Sequence, residues 1–172
     1  LQVESHGEAW YVDLKSRSRY YLRDGATAYE LLKRLGVGVT NANIVKIPIG
    51  VDKRFSSVDS DNDELADRIE LSIGTDPNKK DSDKDGYSDG EEILSGFDPL
   101  GTGRLPLDTA FANSNKGKIL LQIESKGEAW YVNPKDGKRY YMADGPAAYT
   151  IMRYLGIGIT NNDLSKVPVD SL

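Results

Sequence analysis

Residues 1–50 recur at residues 121–170 without a gap, at a constant offset of 120. Half of the fifty aligned positions are identical, and many others exchange Val for Ile or Leu for Met. Leu-Gln-Val-Glu-Ser beginning at Leu1 returns as Leu-Gln-Ile-Glu-Ser beginning at Leu121, and Gly-Glu-Ala-Trp-Tyr-Val starts at both Gly7 and Gly127. A duplication this close obliges the chain to build one small fold twice, around whatever the intervening residues make. The expected organisation is copy one at 1–50, an acidic segment at 51–100, a linker at 101–117 and copy two at 118–172.

Each copy reads as α+β. Residues 1–5 and 119–125 alternate as short strands, and 7–12 with 19–22 form a hairpin. Asp24 is positioned to cap a helix whose Ala28, Leu31, Leu32 and Leu35 fall on one face, ended by Gly36 in the left-handed conformation. Asp144, Ala148, Ile151, Met152, Leu155 and Gly156 repeat the pattern. Thr40 and Thr160 then cap one short helical turn before Pro48 and Pro168. Antiparallel strands with one helix make a domain of only about fifty residues, marginal on its own core. Tethering to a stiff spacer, or pairing of the two copies, would support it.

The most specific chemistry lies between the copies. Asp59, Asp61, Asp63, Asp67 and Glu70 occupy positions 1, 3, 5, 9 and 12 of one loop, with Leu65 at position 7 offering a backbone carbonyl. Asp81, Asp83, Asp85, Asp89 and Glu92, with Tyr87 at position 7, repeat the register 22 residues later. This is the ligand spacing of an EF-hand-type calcium loop, and hard oxygen donors in this number suit Ca²⁺ better than Mg²⁺. Carboxylates so crowded repel one another unless a cation neutralises them. A solvated acidic linker would hold neither the strict alternation nor the fixed period. Position 6 is Gly86 in the second loop but Glu64 in the first. Loop one is therefore expected to be strained, weaker or closed differently.

These residues, with the tails Gly74-Thr-Asp-Pro77 and Gly96-Phe-Asp-Pro99, resemble the thrombospondin type 3 repeat of secreted and surface-attached prokaryotic proteins. The resemblance covers about a quarter of the chain and implies two or more calcium ions as the core of a compact spacer. Dockerin modules use a similar loop but space their loops further apart, so that likeness ranks lower. The flanking copies resemble a small uncharacterised module of bacterial surface proteins, which brings no activity with it.

The net charge of −5 divides into −9 over residues 51–100 and +4 elsewhere, too little positive charge to suggest nucleic acid. There is no cysteine, and no stretch approaches a membrane span. A start on Leu1 rather than methionine suggests a processed or trimmed product. The only histidine is His6, replaced by Lys126 in copy two, so Ser-His and Cys-His catalysis is not expected. A Tyr or Lys base stays open, but the reading is non-enzymatic.

The aromatics are the rival feature. Trp10, Tyr11, Tyr20 and Tyr21 recur as Trp130, Tyr131, Tyr140 and Tyr141 on the two arms of each hairpin. Neighbours on a strand face opposite sides, so one of each pair should enter the core while the other reaches the surface. There it could stack on a sugar or on another chain; cross-strand aromatic pairing is the plainer explanation. Copy one lacks the lead-in Lys116-Gly-Lys-Ile-Leu120, leaving an edge for a strand from another chain. The expected function is a calcium-stabilised extracellular structural protein of a prokaryotic surface, assembling with itself. The alternative is a wall- or glycan-binding adhesion protein.

Overall fold

The computed structural model describes residues 1–3, 7–55 and 58–170. His6 and the last two residues of the expected first strand, Glu4 and Ser5, lie outside the described residues. Copy one supplies β1 (Gln2–Val3), β2 (Ala9–Val12), β3 (Arg19–Leu22), α1 (Gly25–Leu35), β4 (Val37–Val39) and α2 (Asn41–Ile44). The acidic segment supplies α3 (Asp67–Ile73) and α4 (Asp89–Ser95), and the expected linker contains a helix, α5 (Thr109–Ser114). Copy two supplies β5 (Ile119–Gln122), β6 (Ala129–Val132), β7 (Arg139–Tyr141), α6 (Gly145–Tyr154), β8 (Gly158–Ile159) and α7 (Asn161–Leu164). The protein is α+β, as its duplicated pattern predicts.

The two copies exchange strands. The first sheet runs β3-β2-β1-β8 and the second runs β4-β5-β6-β7, so each antiparallel trio is completed by a parallel strand from the other copy. Gln2 pairs with Gly158 and Val3 with Ile159; Val37 pairs with Leu120 and Val39 with Gln122. The chain beyond each exchanged strand returns along the opposite edge. The Arg139 N–H donates to the Pro48 carbonyl (2.8 Å) and the Gly50 N–H to the Arg139 carbonyl (2.8 Å). Arg19, Pro168 and Asp170 repeat this bridge at 2.7 and 3.0 Å. The edge of β1 thus takes a strand from the same chain. Two marginal modules become one folding unit, with both edges of each trio paired or covered.

Helices α1 and α6 pack together at the centre of this arrangement. Asp24 and Asp144 cap them through the backbone N–H groups of Thr27 and Ala147, as expected. Gly25 and Gly145 meet where the helices start: a Cβ on Gly145 would lie 2.3 Å from the Gly25 carbonyl oxygen. The first core contains Tyr11, Tyr20, Leu22, Leu31 and Leu32 of copy one with Tyr131, Tyr140, Met142, Ile151 and Met152 of copy two. Gly36 corrects one expectation, since its φ of −64° is not left-handed. Space explains the residue instead, because a Cβ there would sit 2.6 Å from Leu121 Cδ1.

A second core joins the acidic segment to sheet two. Leu65, Ala66, Ile69 and Ile93 are buried in one cluster with Val39, Ile44, Ile47 and Ile49 of copy one and Trp130 and Val132 of copy two. Ala112 of α5 belongs to it as well, so residues 101–117 contribute to the core and do more than link.

Candidate metal centre

Backbone geometry first brings the carboxylates together. In loop one, Asp59 accepts the N–H groups of Asp63 (3.2 Å) and Glu64 (3.1 Å). In loop two, Asp81 accepts those of Lys84 (2.6 Å) and Gly86 (2.9 Å). Asp61, Asp63, Asp83 and Asp85 each accept the N–H two residues on, a chain of Asx turns. Asn62 and Glu64 are left-handed in the first loop (φ 62° and 79°), as Lys84 and Gly86 are in the second (φ 68° and 103°). Of the outcomes open for loop one, different closure does not occur. Loop one closes as loop two does, with Glu64 held in a conformation that costs a side-chain-bearing residue about 1–2 kcal/mol.

The result is two acidic groups, Asp59-Asp61-Asp63 and Asp81-Asp83-Asp85, each with ligand oxygens within 4.8 Å of one another. The position-12 glutamates face them from α3 and α4, Glu70 grouping with Asp63 and Glu92 standing outside the acidic groups found among the described residues. Glu70 is wholly buried and, among the described residues, neither carboxylate oxygen has a hydrogen-bond partner; Glu92 is buried with Oε2 likewise unpartnered. Burial, then Asp61 and Asp63, push the Glu70 carboxyl up to about 8. Burial, then Asp85 and Asp83, push Glu92 up to about 7. Asp61 is also raised, first by burial and then by Asp63. Orphaned buried carboxylate oxygens are costly in a folded protein unless a cation takes them. The donor set, all oxygen and more than three per loop, is that of calcium.

The position-9 aspartates play another part. Asp67 accepts from the Ser60 N–H and hydroxyl (both 2.8 Å), and Asp89 accepts from those of Ser82 (2.9 and 2.6 Å). Each clamps the second residue of its loop to the first turn of its helix. Asp67 stands outside the acidic groups found among the described residues. At position 7 the side chains diverge: Leu65 is buried in the second core, whereas Tyr87 is 65% exposed. A backbone carbonyl is therefore the common feature the two positions can offer an ion.

A third acidic group crosses the repeats. Asp63 and Glu70 of loop one lie with Asp89 of loop two, all three buried. The Gly90 N–H donates to Asp63 Oδ2 at 2.8 Å, and a Cβ on Gly90 would sit 2.1 Å from the Asp63 carbonyl oxygen. Reading each loop separately missed this contact. Its signal was position 10, glycine in loop two and Arg68 in loop one, where Arg68 instead pairs with Asp144 at the cap of α6 (2.8 Å).

The sequence-predicted aromatics separate by copy. Tyr11, Tyr20, Tyr131 and Tyr140 enter the first core. Trp10 packs on Tyr21 with ring centroids 5.1 Å apart, and Trp130 on Tyr141 at 5.0 Å. Trp130 is fully buried and bonds Gln122 through its indole N–H (2.6 Å), while Trp10 is half-buried and Tyr21 is exposed.

Residues 59–80 and 81–100 match the bacterial TSP3 repeat. No curated protein and no solved structure matches the chain. The TSP3 repeat is a calcium-binding repeat, and the match falls on the two loops whose carboxylates converge here. Residues 59–100 are a calcium-binding segment. Among the described residues no helix is long and apolar enough to cross a membrane.

Proposed function

We propose that this protein is a non-catalytic, calcium-stabilised structural unit of a prokaryotic cell surface, such as a layer, sheath or fibre subunit. One observation carries the reading: the calcium segment is packed into the second core, where Leu65, Ile69 and Ile93 share a buried cluster with Trp130. Ions that order the loops also hold this lid, so binding free energy contributes directly to folding. A cysteine-free chain gains in this way a staple suited to millimolar extracellular calcium. The segment acts as a clamp on sheet two more than as a rod holding two modules apart.

Assembly with itself is the partner this reading expects. Light-scattering mass in calcium and in EGTA, over a range of concentrations, tests it. Mass that grows with concentration only in calcium supports a self-assembling subunit, and a 19.0 kDa species throughout rejects self-assembly. Glycan binding is the second reading, favoured by the accessible Trp10–Tyr21 pair with the Arg19 guanidinium 4.7 Å over the indole. Trp130 is closed to such a ligand, so wall polysaccharide would have to act through copy one. Polysaccharide that leaves tryptophan emission unchanged rejects this alternative.

A further inference from the structure

The duplication gives every surface of one copy a counterpart in the other, and one pair of counterparts is treated very differently. On sheet two, Trp130, Arg139, Ile47 and Ile49 are all buried, Ile49 to 4% exposure. The equivalent residues on sheet one are Trp10, Arg19, Val167 and Val169, with the same or nearly the same chemistry. They are half-buried or open, and Val169 is 63% exposed. The local backbone does not explain this. Arg19 makes the same bridge to Pro168 and Asp170 that Arg139 makes to Pro48 and Gly50. Each guanidinium also lies over its tryptophan, at 4.7 and 4.3 Å. Among the described residues, what sheet two has and sheet one lacks is Leu65, Ala66, Ile69 and Ile93 from the calcium segment, flanked by Leu105, Phe111 and Ala112 of the chain that follows it.

From this we infer that the face of sheet one formed by Trp10, Arg19, Tyr21, Ile159, Val167 and Val169 is a docking surface for a second pair of calcium-loaded acidic loops. The pair is carried on another polypeptide segment and seats as residues 59–100 seat on sheet two. Three further features fit this occupant. Residues 51–100 carry −9, and stay at −5 with two calcium ions bound, against +4 for the rest of the chain, so a like segment is drawn to the copies. Arg68 of the resident pair bonds Asp144 at the start of α6, and Asp24, paired here with Arg23 (2.8 Å), holds the matching place at the start of α1. Asp170 lies beside Arg19 where Gly50, from which the resident segment departs, lies beside Arg139. A contiguous apolar face with a covered twin in the same molecule calls for a cover of the same kind.

The inference rests on the calcium reading of the loops, and one experiment separates the two. Because Leu1 corresponds to Leu121, residues 51–120 are grafted ahead of Leu1 of the intact chain, which repeats the natural junction and adds no tryptophan. Calcium uptake and acrylamide quenching of tryptophan are then measured together. The parent chain should show one quenchable tryptophan, Trp10, and one shielded, Trp130. The expected result is a doubled uptake and calcium-dependent shielding of Trp10 to the level of Trp130. The shielding should be lost when Ile69→Lys is placed in the graft alone. Doubled uptake with Trp10 still quenchable overturns the docking surface, as does shielding that survives Ile69→Lys. Trp10 shielded in the ungrafted chain, with a doubled mass, overturns it in favour of a second copy. A parent chain that takes up no calcium overturns the calcium reading itself, and this inference with it; parental uptake that does not rise on grafting overturns the docking surface alone.

Discussion

Gly90→Ala is the sharpest test of how the repeats are joined. The added Cβ would fall 2.1 Å from the Asp63 carbonyl oxygen and 3.0 Å from its carbon, both backbone atoms of a loop pinned by its own Asx turns. Nothing flexible can give way. Overpacking of this kind costs roughly 1–3 kcal/mol. Pushing the helix off the loop also breaks the buried bond from the Gly90 N–H to the Asp63 carboxylate, 2.8 Å long, worth about 1.5–3 kcal/mol for a charged acceptor. The combined loss is about 3–5 kcal/mol, which for a chain of this size lowers Tm by order 10 °C. Thermal unfolding in saturating calcium should show it. Gly103→Ala is the matched control, since a Cβ there meets nothing within 4 Å. Its stability should stay within about 0.5 kcal/mol of the parent. If Gly90→Ala behaves like Gly103→Ala, the loops are not in contact as described and the third acidic group does not exist.

Two further outcomes follow from the loops. Glu64→Gly should stabilise the protein by about 1 kcal/mol, because glycine takes the left-handed conformation without the steric cost; denaturant midpoints measure it, and Gly86→Ala should move them the other way. Calcium binding at pH 7 should release more than one proton per chain, since Glu70 and Glu92 titrate up to about 8 and about 7 without the ion. Calorimetry in buffers of different ionisation enthalpy reads this release, which should vanish above pH ~9. The folded carboxyl of Glu70 holds its proton more tightly than the unfolded one, whose value is 4.5. In EGTA, the contribution of Glu70 to stability should therefore be fully present near pH 4.5 and be lost as pH rises through about 8, a fall that Glu70→Gln should abolish. A flat profile over that window would show that Glu70 is solvated.

Local signals in the sequence were legible because their causes are local. Asp24 and Asp144 cap helices whose apolar faces recur every three or four residues, and both are read from a few neighbours. The loop carboxylates converge because alternate residues fold into successive Asx turns, again a property of twelve residues. What escaped was everything set by long separation. Nothing in Val37-Gly-Val39 says that its partner is Leu120 of the other copy and not β1 of its own. Either trio presents the same edge, and near-identical copies make the two pairings nearly equal in local energy. The burial of Trp130 and exposure of Trp10 are equally invisible, since their hairpins are almost the same sequence. The difference is imposed by a segment that can only lie on one of them.

That asymmetry bears on where calcium would act. Strand exchange demands long loops: 79 residues separate Val39 from Ile119, and the two repeats account for 42 of them. If calcium helped only by compacting that connection, the free chain would fall by about half, a gain of about 0.6 kcal/mol in closure entropy. The seal on the second core is larger. Leu65, Ile69 and Ile93 are each buried to 7% exposure or less, and each such side chain contributes about 1.5–3 kcal/mol. Losing the ions should therefore be felt at the lid before it is felt in the exchange. In EGTA the emission of Trp130, read in a Trp10→Phe chain, should move to longer wavelength as its cover loosens. The far-UV signal of the paired strands, and the burial of Tyr11 and Tyr20 in the first core, should largely remain. If instead both sheets are lost together while Trp130 stays covered until the end, calcium is acting through chain closure, and the lid carries none of the stability assigned to it.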